Sequence, residues 1–103
     1  MSNDPIDGIL DPDETIQAVA KARTHRLVVT DRRVAIADAR RLALHVDFPS
    51  LRRIQFDIER DRPATLVIVP EHPRDEPQVL AVPPEDYPGI AQVLVLIGQR
   101  LAS

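Results

Sequence analysis

Val28-Val-Thr-Asp-Arg-Arg-Val-Ala-Ile-Ala-Asp38 (VVTDRRVAIAD) sets two apolar runs on either side of four polar residues. Apolar runs this short, rich in β-branched residues and separated by so small a polar insert, read as two strands joined by a tight turn. Thr30-Asp31-Arg32-Arg33 then forms the corner. Asp tolerates turn conformations and accepts bonds from nearby backbone amides, while Thr30 and Arg33 sit at the strand ends. Polar turns mostly exist to turn, so a ligand-contacting role for the two arginines is the weaker reading.

Outward from this hairpin, short apolar runs alternate with turn signals about every 8–12 residues, the rhythm of an all-β barrel or sandwich. The clearest strand is Leu51-Arg-Arg-Ile-Gln-Phe-Asp-Ile-Glu59. Its Ile54, Phe56 and Ile58 point one way and Arg53, Gln55, Asp57 and Glu59 the other, so one face is buried and one wet. Leu42, Leu44 and Val46 repeat the pattern, as do Val34 and Ile36. Leu66–Val69 and Val79–Val82 are unbroken apolar runs, which predicts strands covered on both sides. Pro70, Pro73, Pro77, Pro83 and Pro84 bracket these runs and cannot donate within a ladder.

Two segments need separate treatment. Asp11-Pro-Asp-Glu14 has the residues of a helix start, and the TIQAVAKA that follows could continue as a helix. Read as a strand, Ile16, Ala18 and Ala20 face inward. We read a strand from about Thr15 to Ala22, with one helical turn before it left open. After Pro83-Pro-Glu-Asp86 the pattern changes to a helix, with Ile90, Val93, Leu94, Ile97 and Leu101 on one face. Acids precede it and Arg100 lies near its end, matching the helix dipole. The tally is seven strands and one C-terminal helix.

Composition bounds the function. The chain has 103 residues and 44% apolar content, enough for one packed domain. No apolar stretch reaches membrane-spanning length, and the acidic start lacks the basic and apolar regions of a secretory signal. Cysteine is absent, which removes disulfides, thiol nucleophiles and thiolate metal sites. A cytoplasmic protein fits these features. The net charge of −3 argues against non-specific nucleic-acid binding, but it is uneven. Residues 1–14 carry −5, residues 15–62 carry +5 and residues 63–103 carry −3. Residues 1–14, with Pro5, Gly8 and Pro12, read as an acidic, flexible N-terminal tail, and 15–103 as a single domain. Twelve of the thirteen basic residues are Arg, the bias of a GC-rich coding sequence, which weakens any claim that Arg was selected over Lys.

Seven short strands closed by an amphipathic helix resemble the pleckstrin-homology-like (PH-like) barrel. RLVVTDRRVAIAD resembles the second and third strands of bacterial PH-like domains, the YokE-like and GRAM-related group, with an apolar run, a Thr-x-x-Arg turn and another apolar run. Phe48-Pro-Ser-Leu-Arg-Arg-Ile54 is similar to the segment entering their fifth strand. Glu14 followed by Ile16 is similar to their lead-in, with Asp13 where glycine is common. The resemblance spans roughly residues 12–101 and marks a fold more than a chemistry. It implies a mainly β class: seven antiparallel strands in two near-orthogonal sheets, capped by the helix.

Antiparallel strands place alternate loops at one end, so Lys21–Arg26 should meet Asp38–Arg41. Together these loops carry +4, with His25 in addition. In PH domains that bind phosphoinositides, basic residues from these two loops hold the headgroup. That resemblance makes Lys21, Arg23, His25, Arg26, Arg40 and Arg41 candidates for an anionic headgroup, though Lys21, Arg23 and Arg26 only approximate the motif. The loop Glu71–Pro77, which normally joins this end, is net negative and would repel such a ligand. A solvated, solubilising end is the blander reading, and we favour it.

Val95 and Leu96 fall on either side of the face opposite the helix's core face. A helix apolar nearly all round is buried on more than one side; a longer N-terminal tail, a second copy or a partner would cover it, so Val95 and Leu96 are candidate interface residues. Enzyme readings have little support. His25, His45 and His72 lack metal-ligand spacing, and His45 alternates outward on its strand. The N-terminal acids do not match a calcium loop. Three glycines form no phosphate loop, and Ser2, Ser50 and Ser103 occupy no nucleophile elbow. Phe48, Phe56 and Tyr87 are too few for base stacking. The expectation is a non-catalytic module without cofactor or metal, binding a protein partner or itself. The runner-up is a module peripheral to the inner face of the membrane, and an enzyme is a distant third.

Overall fold

A computed structural model describes residues 5–102 of the chain. The order of elements is β1 (Ile16–Ala22), β2 (His25–Thr30), β3 (Arg33–Ala37), β4 (Leu42–Asp47), β5 (Leu51–Asp57), β6 (Ala64–Pro70), β7 (Gln78–Val82) and α1 (Tyr87–Ala102). Strands β1–β4 form one antiparallel sheet in chain order and β5–β7 a second. The seven strands and terminal helix expected from the apolar rhythm are all present. No hydrogen-bonded ladder joins the two sheets, so the barrel is open between β4 and β5.

The first segment is a strand, as its Ile16, Ala18, Ala20 alternation suggested, and not the helix its alanines could have formed. Ahead of it, Asp11–Glu14 makes a single turn. The Glu14 amide donates to the Asp11 carbonyl at 3.0 Å, and the Asp11 amide donates back to Glu14 Oε1 at 3.1 Å. The Glu14 side chain makes its half of a capping box, but the bond from the Glu14 amide goes to the Asp11 carbonyl and not to its side chain, and the chain runs straight into β1.

Main-core side chains come from alternate positions of both sheets. Leu27, Val29, Val34 and Ile36 from the first pack with Leu66, Ile68 and Val82 from the second, and with Ile90, Val93 and Ile97 of α1. A 3-10 turn at Phe48–Ser50 carries the chain between the sheets and buries Phe48. The α1 helix lies over β1 and β2, and Gly89 brings it close to the first sheet. A Cβ there would sit 3.6 Å from Ala20 Cβ.

The strands covered on both faces are β2 and β3, where every residue from Leu27 to Thr30 and Val34 to Ala37 is buried. The cover on the outer face is the acidic N-terminal segment. Ile6, with Ile9 and Leu10, packs on Val28, Ala35, Ala37 and Leu42. Leu42 is on this outer face because a bulge at Ala43 separates the pairs Ala37↔Leu42 and Ile36↔Leu44, and a bulge reverses the alternation that sequence alone would continue.

Three other expectations are corrected. Strands β6 and β7 are covered on one face only; alternate residues of β6 are half-buried and Val79 is 65% exposed. Ile58 is 64% exposed, because β5 ends at Asp57 and leaves it unpaired. Leu101 lies past the last helical turn that meets the core and is 45% exposed.

Ile97→Ala should therefore cost about 2–5 kcal/mol, the range for emptying a fully buried site. Ile58→Ala should stay within about 0.5 kcal/mol. Urea unfolding of the two variants checks both.

Candidate functional site

The β2–β3 corner is built from its hydroxyl, not from the aspartate expected to make it. Thr30 Oγ1 accepts the amides of Arg32 and Arg33, both at 3.0 Å, a local side-chain bond that competes with continued strand. Asp31 instead ties the corner to β1. Its Oδ1 accepts the Thr15 amide at 3.0 Å, and its own amide donates to the Thr15 carbonyl at 3.0 Å.

The two arginines of the corner hold the N-terminal acids. Arg32 donates to Asp11 Oδ2 at 2.8 Å and to Asp13 Oδ2 at 2.6 Å. Arg33 Nε lies 2.9 Å from Glu14 Oε2, at an angle that makes the contact an ion pair more than a hydrogen bond. The Glu14 carboxylate is wholly buried and accepts the Thr30 hydroxyl at 2.6 Å. Burial opposes its ionisation, but the Thr30 hydroxyl, the Asp11 amide and the Arg33 charge prevail and hold its pKa below the usual carboxyl range. From the other side, Arg100 of α1 donates to the Asp31 carbonyl and lies over the Phe48 ring, 5.4 Å from its centroid. The opening motif is thus a structural corner whose arginines are engaged within the chain. Sequence reading missed the pairing, although a net −5 segment and an Arg-Arg turn in one short domain were its signal.

The basic end forms by ladder geometry. Pairing of Lys21 with Arg26 and of Arg26 with Ala37 brings the β1–β2 turn beside the β3–β4 turn. The first is a two-residue turn in which Arg23 adopts a left-handed φ of 57°, uncommon for a residue with a Cβ. Lys21, Arg23, Arg40 and Arg41 are exposed, and His25 and Arg26 are half-buried. Two acids temper the cluster. Asp38 Oδ1 accepts the Arg40 and Arg41 amides, both at 2.8 Å. Those bonds, then the charges of His25 and Arg41, lower the Asp38 pKa. Asp86, just ahead of α1, accepts the Arg23 amide at 3.3 Å.

The Glu71–Pro77 loop lies along the outer edge of β4. The Glu71 amide donates to the Ser50 carbonyl at 2.7 Å. A concavity of about 470 Å³ separates His72 and Arg74 from Arg33, His45 and Asp47. A second, of about 260 Å³, separates Arg74, Asp75 and Glu76 from Leu42–His45. Asp75 and Glu76 of this loop therefore face the start of β4. Among the described residues, no three His, Asp or Glu side chains lie close enough to hold a metal ion. No helix is long and apolar enough to cross a membrane.

The third region is the outer side of α1. Val95 is 59% exposed and Leu96 half-buried. With Gln92 and Gln99, and with Gln17 and Ala18 of β1, they line a groove of about 360 Å³. The bulge at Gln17 opens this edge of the sheet.

No protein-family model matches the sequence, and no curated protein matches it. Its structure is similar to the crystal structure of a pleckstrin homology domain from Shewanella amazonensis SB2B. The TM-score is 0.69 and the identity 15%, over 95% of this chain and 93% of that chain. At that identity the likeness concerns architecture: the chain has the PH-like fold, seven antiparallel strands in two sheets with a C-terminal helix.

Because Asp38 caps the β3–β4 turn through two amides, Asp38→Ala should lower the melting temperature while Asp38→Asn retains most of it. The Glu14 carboxyl titrates below its ordinary 4.5, so its stabilisation is present above that value and is lost as the pH falls through the lowered one. Glu14→Gln should cost about 1–3 kcal/mol at neutral pH and flatten the acid limb of stability against pH, measured by denaturation across pH 3–7.

Proposed function

We propose that this chain is a non-catalytic PH-like binding module that docks protein, a partner or itself, through the outer side of α1. The observation that carries the reading is Val95. The core-facing apolar residues Ile90, Val93 and Ile97 of α1 are buried, whereas Val95, on the opposite side, is exposed beside a groove. Exposed apolar surface next to a concavity is a common mark of protein contact. The PH-like architecture agrees with a binding role.

A second reading places the module on an anionic membrane surface through Lys21, Arg23, His25, Arg26, Arg40 and Arg41. Its support is their convergence on one end and the strained backbone at Arg23, since strain concentrates at functional sites. Asp38, Asp86 and the facing acids of the β6–β7 loop weigh against it. Each basic residue near such a surface contributes about 1 kcal/mol, and the acids subtract from that.

A photo-activated cross-linker at position 95, in cells that express the chain naturally, should yield a discrete protein adduct. The same group at Ile58 or Val79, which are equally exposed, should not. Absence of a Val95-specific adduct would count against protein docking. Flotation with phosphatidylserine vesicles at low salt, fading as salt rises, would favour the membrane reading instead.

A further inference from the structure

We infer that the outer face of α1 pairs with the same face of a second copy, antiparallel, about a two-fold axis between Val95 and Leu96. The inference rests on the reading of α1 as the docking surface and names its occupant.

Two observations carry it. First, the stripe Gln92, Val95, Leu96 and Gln99 repeats at helical spacing and is the same read from either end. Two such helices laid antiparallel set Gln92 of one copy beside Gln99 of the second, and Val95 beside Leu96. Each amide then meets an amide with both donor and acceptor, and each apolar side chain meets another. A two-fold interface requires this kind of self-complementarity.

Second, the face carries no charge. From Tyr87 to Gln99 the helix has no ionisable side chain apart from the Tyr87 phenol, and its one charged residue, Arg100, is turned to the Asp31 carbonyl and the Phe48 ring. A chain of net charge −3 repels its copies over much of its surface, but not here.

Four stripe residues fall well short of the about 20–30 residues a side of a standard interface, so the dimer is weak and dependent on concentration.

Sedimentation velocity from about 10 μM to about 1 mM should show a reversible monomer–dimer equilibrium. Val95→Glu should weaken it about tenfold or more, as loss of an interface anchor does. Its melting temperature, measured at a dilution where the native chain is monomeric, should be little changed, because the exposed Val95 side chain is not needed by the monomer's core. The chain has no cysteine, so an equal mixture of Gln92→Cys and Gln99→Cys chains should oxidise mainly to the mixed disulfide. A chain monomeric throughout that range overturns the inference, even where a Val95 cross-linker captures a different protein. So do homodisulfides in excess of the mixed species, or dimerisation indifferent to Val95→Glu.

Discussion

The fold turns on one buried hydroxyl. The Thr30 side chain is buried, and it accepts two amides of its own turn while donating to the buried Glu14 carboxylate. A hydroxyl so placed is fully satisfied, and a buried group so satisfied is costly to disturb. Around it meet the N-terminal acids, the start of β1 through Asp31 and the end of α1 through Arg100. Three parts of the chain distant in sequence are thereby fixed to one corner.

This corner accounts for the unequal burial of the two sheets. With Asp11 and Glu14 held at Arg32 and Arg33, the preceding residues lie back across β2 and β3, where small Ala35 and Ala37 leave room for Ile6. The first sheet is therefore covered on both faces. Among the described residues the second has no comparable cover, and its outward residues, such as Val79, stay exposed. Attraction between the acidic segment and the arginines of the β2–β3 corner is spent on architecture.

The same division separates the two candidate surfaces. The basic end is assembled by strand pairing but balanced by Asp38 and Asp86, each tied to a backbone amide of the loops that carry the arginines. Among the described residues the outer side of α1 has no such internal partner. Its uncharged arc and open groove are the observations on which the proposed protein contact rests.

Much of the architecture was legible in local pattern. Period-two alternation around Val34, Ile36 and Ile54 identified strands, and the spacing of Ile90, Val93 and Ile97 identified a helix, because these periodicities follow from backbone geometry alone. Val95 and Leu96 also stood out, since an apolar residue opposite a core face has no local reason to be there. What the residues could not specify was whatever depends on a distant segment: the bulge that sends Leu42 to the outer face, the strap that buries β2 and β3 on both sides, the clasp that occupies Arg32 and Arg33, and the water around Ile58. Periodicity reports which side of an element is apolar. Only tertiary packing decides what arrives to cover it.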